Sequence, residues 1–272
     1  MKSKIIIFVC FSVAISLPVS AQKTVKIWGN NPASSKMNRA EVVVFQAKEN
    51  PSGVSVIICP GGSYCYLGKK VEGTKVAKWL NKNNITAFVL YYRVGIFGNH
   101  HPAMIQDLQR TIQLVKENCV AYGIDPDKVG IMGFSAGGHL AGTAAIYSHY
   151  KPYFAAMIYP VVSMQDSICH KKSRKNLLGK NYDDKLKQMM SLESNVHAGM
   201  PPIFLMHCTG DKTVDYRNSV VFAKALTGSN IKHKFLLIDE YGRGGHGFGI
   251  KPNGKATGWI KEFLEWMVGI EY

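Results

Sequence analysis

The feature that most constrains the fold is an apolar strand, Val129-Gly130-Ile131-Met132-Gly133-Phe134, that runs directly into Ser135-Ala136-Gly137-Gly138-His139 and a small-residue helical pattern. A chain passes from strand to helix within so few residues only through a tight, strained turn. Gly133 and Gly137, flanking Ser135, remove Cβ atoms that would collide with the neighbouring strand and helix. The turn pushes Ser135 Oγ out of the sheet. The helix begun at Ala136 aims free N–H groups and the positive end of its dipole at the same spot, which suits an oxyanion.

Around this stretch, strand and helix signals alternate. Strands are predicted over 25–28, 41–45, 54–59, 85–91, 129–134, 154–159, 203–207 and 234–238, the inner ones continuously apolar as buried parallel strands are. Helices are predicted over 73–83 and 103–122, after Ser135, and at the end, where Trp259, Ile260, Phe263, Leu264 and Met267 repeat at helical spacing. With 272 residues, 46% hydrophobic, the chain can bury one large core. The expected class is α/β, a sheet of about eight mostly parallel strands with helices on both faces and its site outside the strands' carboxyl ends.

Three other strand ends carry chemistry. After 203–207 comes Cys208-Thr209-Gly210-Asp211-Lys212-Thr213-Val214, and after 234–238 comes a glycine-rich loop around His246. Serine is too weak an acid to attack an ester unaided, so His246 would take its proton and Asp211 would orient and stabilise the imidazole. Asp215 and Asp239 are rival acids; Asp215 lies four residues too late and Asp239 too close in sequence to His246. Cys59-Pro60-Gly61-Gly62-Ser63-Tyr64 follows the third strand, and the N–H groups of Gly62, Ser63 and Ala136 are the candidate oxyanion donors. His139, in the first turns of the helix, reads as a packed or surface residue, and His207, at a strand end, as a buried one.

Together, Gly61-Gly62-Ser63-Tyr64, Tyr91-Tyr92-Arg93, Pro102 with Asp107 and Arg110, Gly123-Ile124-Asp125-Pro126, Gly133-Phe134-Ser135-Ala136-Gly137-Gly138-His139-Leu140, Asp211 to Val214 and Gly245-His246-Gly247-Phe248 resemble the esterase/lipase branch of the α/β-hydrolase superfamily. The acetylxylan-esterase-like and feruloyl-esterase-like group, related to the peptidase S9 catalytic domain, is the nearest match, over residues 40–268. The resemblance implies a Ser135-His246-Asp211 triad working without cofactor or metal. Proline at position 60 replaces the histidine that heads the family's HGGG-type loop. In this fold the segment between the sixth and seventh strands, here 163–202, commonly forms a cap; it carries Lys171, Lys172, Arg174 and Lys175. Tyr64, Tyr66 and Tyr159 are the aromatic residues expected to stack on a sugar ring.

Residues 1–21 have the form of a secretion signal, with Lys2 and Lys4, an apolar run and Val19-Ser20-Ala21 as a cleavage site. The expected location is therefore periplasmic or extracellular, with one catalytic domain over 22–272 and no stable membrane insertion. Losing the two lysines lowers the net charge from +15 to +13; the lysines are scattered and no nucleic-acid motif accompanies them. Five cysteines remain, an odd number without C-x-x-C pairs, which argues against a disulfide scaffold or zinc cluster. These features suggest an exported serine esterase removing small acyl groups, acetyl above all, from carbohydrate such as xylan. A broad carboxylesterase or a feruloyl esterase is the alternative. A non-catalytic carbohydrate-binding protein is the reading from another class, and the intact Ser/Asp/His set argues against it.

Overall fold

The apolar runs become the strands of one eight-stranded sheet in the computed structural model, which describes residues 23–29, 39–50, 52–239, 245–250 and 258–271. The strands are β1 (Lys23–Lys26), β2 (Glu41–Phe45), β3 (Ser55–Cys59), β4 (Thr86–Tyr91), β5 (Val129–Phe134), β6 (Ala155–Ile158), β7 (Ile203–Cys208) and β8 (His233–Ile238). They lie side by side in the order β1-β2-β4-β3-β5-β6-β7-β8. β2 runs antiparallel to both β1 and β4, and every pairing from β4 to β8 is parallel.

Parallel neighbours cannot be joined by a hairpin, so each crossover carries helix. These are α1 (Lys75–Lys82), α2 (Ala103–Glu117), the single turn α3 (Cys119–Tyr122), α4 (Ala136–Tyr147), α5 (Lys171–Leu178), α6 (Asp184–Met189) and α7 (Arg217–Gly228); α8 (Trp259–Val268) comes last. Side chains alternate between the two faces of the sheet. Ile57, Phe88, Ile131 and Leu205 pack with Leu108, Leu140 and Phe222 on one face, while Ile58, Val89, Phe134 and Met206 pack with Leu80, Trp259 and Phe263 on the other. Helix α4 is buried from Ala136 through Ile146, which explains its small residues: Gly142 has no room for a Cβ between Leu192 and Met157.

Several strand ends fall one residue from the sequence expectation, and three boundaries differ by more. The first strand lies two residues earlier, because its register is set by pairing Lys23 with Val44, and Ile27 to Gly29 turn away. The helix expected over 73–83 begins as a π-helical turn, Lys69–Thr74, before α1. The helix expected over 103–122 ends at Glu117, where Asn118 leaves helical geometry and its Nδ2 donates to the Leu114 carbonyl. The proposed signal segment 1–21 lies outside the described residues.

The connection 163–202 holds α5 and α6 and reaches back over the β3 end: Asn176 Nδ2 donates to the Ser63 carbonyl at 2.9 Å. In its basic run Lys171, Lys172 and Lys175 are exposed, while Arg174 pairs with Asp166 at 2.6 Å. Among the described residues no helix is long and apolar enough to cross a membrane, and Cys59, Cys65, Cys119, Cys169 and Cys208 are free thiols.

Candidate active site

Strands β3, β5, β6, β7 and β8 all point the same way, so the residues that follow them share one edge of the sheet. At the end of β5 the backbone turns within one residue. Ser135 has φ 54° and ψ −120°, outside the regions open to most side chains, and its N–H and C=O are held by Ile158 and Val161. The close approach behind it explains Gly137, where an added Cβ would lie 2.0 Å from the Cys59 carbonyl oxygen.

Ser135 Oγ lies 2.9 Å from His246 Nε2, and His246 Nδ1 lies 2.6 Å from Asp211 Oδ2. A carboxylate only accepts, so Nδ1 carries the imidazole proton and Nε2 is left to accept the serine proton. The other oxygen of Asp211 accepts the N–H groups of Thr213 and Val214 at 2.7 and 2.9 Å. His207 Nε2 approaches Oδ2 at 3.1 Å and also the Val214 carbonyl, both acceptors, so this nitrogen carries a proton; Ser219 Oγ donates to its Nδ1 at 2.7 Å. Burial pushes the Asp211 carboxyl up, but the bonds from His207 and His246 outweigh it and hold the pKa at about 2. The rival acids are engaged elsewhere: Asp215 with Arg217 and Asp239 with Thr209.

The loop after β3 completes this edge. Gly62 (φ 135°), Ser63 (φ 57°) and Tyr64 (φ 55°) form a left-handed run beside Ser135. Among the described residues, the N–H groups of Gly62, Ser63 and Ala136 have no intramolecular acceptor. Of the six non-glycine residues with positive φ among the described residues, Asn84 and Asn230 are of the type that tolerates it; Ser63, Tyr64, Ser135 and Tyr159 gather here. That clustering is what a strained functional site looks like.

Two of the three tyrosines expected to stack on sugar do not fit that role. Tyr64 is fully buried, its hydroxyl bonded to His139 Nδ1 at 2.9 Å, and Tyr159 is fully buried under the His246 loop. A ring with no exposed face cannot stack on a ligand. Tyr66, at the outer end of the same loop, is 60% exposed, with the Lys172 ammonium over its ring at 6.0 Å. Of the two places open to His139 in the sequence, packed or at the surface, the structure has it packed: its Nε2 donates to the Met190 carbonyl, and burial lowers its pKa to about 4.

One site residue carried no sequence signal. Glu72, in the π-helical turn, is buried with Oε2 accepting the Gly61 N–H at 2.9 Å and Oε1 accepting the Tyr159 hydroxyl at 2.8 Å. Tyr159 OH in turn accepts the Gly249 N–H at 3.0 Å, and its ring centroid lies 4.6 Å from that of His246. Desolvation raises the pKa of Glu72, opposed by these two bonds and by His246.

A mostly parallel sheet with serine at the β5–α4 turn, acid after β7 and histidine after β8 defines the α/β-hydrolase fold in its esterase form. Residues 42–226 match the BD-FAE family, and the chain belongs to it. It is similar to an acetylxylan esterase of Xylanibacter ruminicola, 34% identical over 217 residues, which covers 78% of this chain and 44% of that protein. It is also similar to endo-1,4-beta-xylanase B of Butyrivibrio fibrisolvens, 30% identical over 219 residues, covering 75% of this chain and 34% of that protein. The chain thus spans less than half the length of either relative. Among solved structures, the acetyl ester-xyloside bifunctional hydrolase of Caldicellulosiruptor lactoaceticus superposes with a TM-score of 0.84 at 29% identity, covering 93% of this chain and 98% of that one.

Proposed function

We propose that this protein is an exported serine esterase that removes small acyl groups, chiefly acetyl, from carbohydrate such as acetylated xylan. The observation that carries the reading is the chain of hydrogen bonds from Ser135 through His246 to Asp211, with the serine in a strained turn. Ser135 Oγ attacks the acyl carbon while His246 Nε2 takes its proton. The oxyanion is held by the N–H groups of Gly62, Ser63 and Ala136. His246 then protonates the departing sugar oxygen, leaving an acyl-serine. Water, deprotonated by the same nitrogen, releases the acid and restores Ser135, so one ester and one water become one acid and one alcohol. Asp211, ionised above a pKa of about 2, stabilises the transient imidazolium.

The carbohydrate substrate rests on the resemblance to an acetylxylan esterase and a xylanase, and export rests on residues 1–21. Residues 163–202, through Asn176 on Ser63, act as a partial cap over the loop. A broad carboxylesterase is the second reading. It is favoured by an open cavity of about 400 Å³ lined in part by Tyr66, Ile96 and Phe97, each more than half exposed, beside the same loop, which suits a lipophilic or aryl group.

Hydrolysis of p-nitrophenyl acetate by the mature protein tests the chemistry: Ser135→Ala should lower kcat by about 10⁶-fold while the protein stays folded. Equal rates would refute the reading. Acetate release from acetylated xylan, set against methyl ferulate and a long-chain ester, separates the substrates; no acetate from the polysaccharide favours the general carboxylesterase.

A further inference from the structure

We infer that Glu72 is a positioning residue that locks the oxyanion loop and the histidine loop to one another, acting through Gly61 on one side and Tyr159 on the other. This rests on the esterase reading above.

Three observations carry it. The first is reach: Glu72 touches Gly61, eleven positions away, and Tyr159, eighty-seven positions away. Gly61 immediately precedes the proposed oxyanion donors, and a Cβ placed on it would lie 2.8 Å from Ser135 Cβ. Tyr159 lies against the His246 ring and, through Gly249, holds the backbone three residues beyond that histidine. One carboxyl group therefore spans both halves of the proposed machinery without touching the space a substrate would take.

The second is hydrogen-bond direction. The Tyr159 hydroxyl accepts from Gly249 and donates its one proton to the Glu72 carboxylate, which can only accept, while the Gly61 N–H can only donate. Both partners need an acceptor. A carboxylate supplies two, whereas the amide of glutamine supplies one acceptor and one donor.

The third is a fitted seat. Glu72 Oε2 lies 2.8 Å from where a Cβ would stand at Gly61 and again at Gly68, so the chain is bare on both sides of the carboxyl. Tyr159 itself has φ 38°, a conformation that a tyrosine adopts only when its surroundings impose it. The bond to Glu72 at one end and the Met206 carbonyl on its N–H at the other hold it there.

The test uses the mature protein and p-nitrophenyl acetate, with Ser135→Ala as reference. Glu72→Gln and Tyr159→Phe should each lower kcat about ten- to a hundredfold, the size expected when reacting groups are misplaced by a fraction of an ångström. KM should stay within about twofold, because neither group meets the substrate. The double variant should be no worse than the poorer single one, since both break the same link. Should Glu72→Gln fail to fold, Tyr159→Phe, which removes one hydroxyl, decides alone by its kcat and KM. Unchanged kcat in the single variants, losses that multiply in the double, or losses matched by an equal fall in folded protein would overturn the inference while Ser135→Ala remains inactive. An active Ser135→Ala would instead overturn the esterase reading, and this inference with it.

Discussion

Two buried carboxyls flank His246, and the protein treats them oppositely. Asp211 receives four donors, the N–H groups of Thr213 and Val214 and the rings of His207 and His246, and is held at a pKa of about 2. Glu72 receives two, from Gly61 and Tyr159, and burial moves its pKa upward. Both are removed from water. The number of donors sets the direction in which each is shifted. One is an anion suited to stabilising an imidazolium; the other is a clamp whose two oxygens each accept from a different loop.

The difference can be broken by substitution. Asp211→Asn presents an amide to His246 Nδ1, which favours the wrong tautomer, and should lower kcat by about 10⁴-fold with KM little changed. Glu72→Gln should lose only about ten- to a hundredfold. Equal losses from the two, measured with p-nitrophenyl acetate, would erase the distinction between a group that serves the imidazole directly and one that acts through neighbours.

Acid unfolding sharpens it further. The Asp211 pKa is lowered in the folded state, so its contribution is full above its ordinary value of 3.8 and disappears as pH falls toward about 2. That amounts to roughly 2 kcal/mol. The Glu72 shift has the opposite sign: the folded state favours the protonated form, so this group's contribution is full below 4.5 and declines as pH rises through its higher folded value. Urea unfolding from pH 2 to 7 should show that Asp211→Asn removes stability gained between about pH 2 and 4, and Glu72→Gln removes a loss that begins above 4.5. Parallel curves for both variants would contradict the opposite shifts.

Asp211 and Glu72 also mark what the sequence can and cannot convey. Asp211 stands one turn beyond the apolar strand β7, in a Gly-Asp segment six residues before α7, and its chemistry belongs to the strand end that precedes it. Ser135 and His246 are legible for the same reason, each following a strand in a glycine-rich turn. The eight strands themselves are legible as apolar runs, with errors at the edge strand β1 and at helix ends, where pairing register and an asparagine cap decide. Glu72, by contrast, sits in Lys69-Lys70-Val71-Glu72, just ahead of the helix expected over 73–83, where no pattern marks it. Its burial depends on a π-helical turn and on Tyr159, far off in sequence. Tyr64 and Tyr159 mislead in the reverse direction: aromatic residues at strand ends suggest exposed stacking surfaces, yet each hydroxyl finds a buried partner, His139 and Glu72, more than seventy positions away. Tertiary contacts of that separation leave no local pattern.

The central claim is that Ser135 is the nucleophile, activated by His246. A fluorophosphonate tests it directly, because displacement of fluoride by the serine oxygen leaves a stable phosphonyl adduct that can be weighed and mapped. One adduct per chain on the peptide containing Ser135, absent from Ser135→Ala and strongly slowed in His246→Gln, is the predicted result. An adduct on another residue, or full esterase activity in protein that carries the adduct on Ser135, would contradict it.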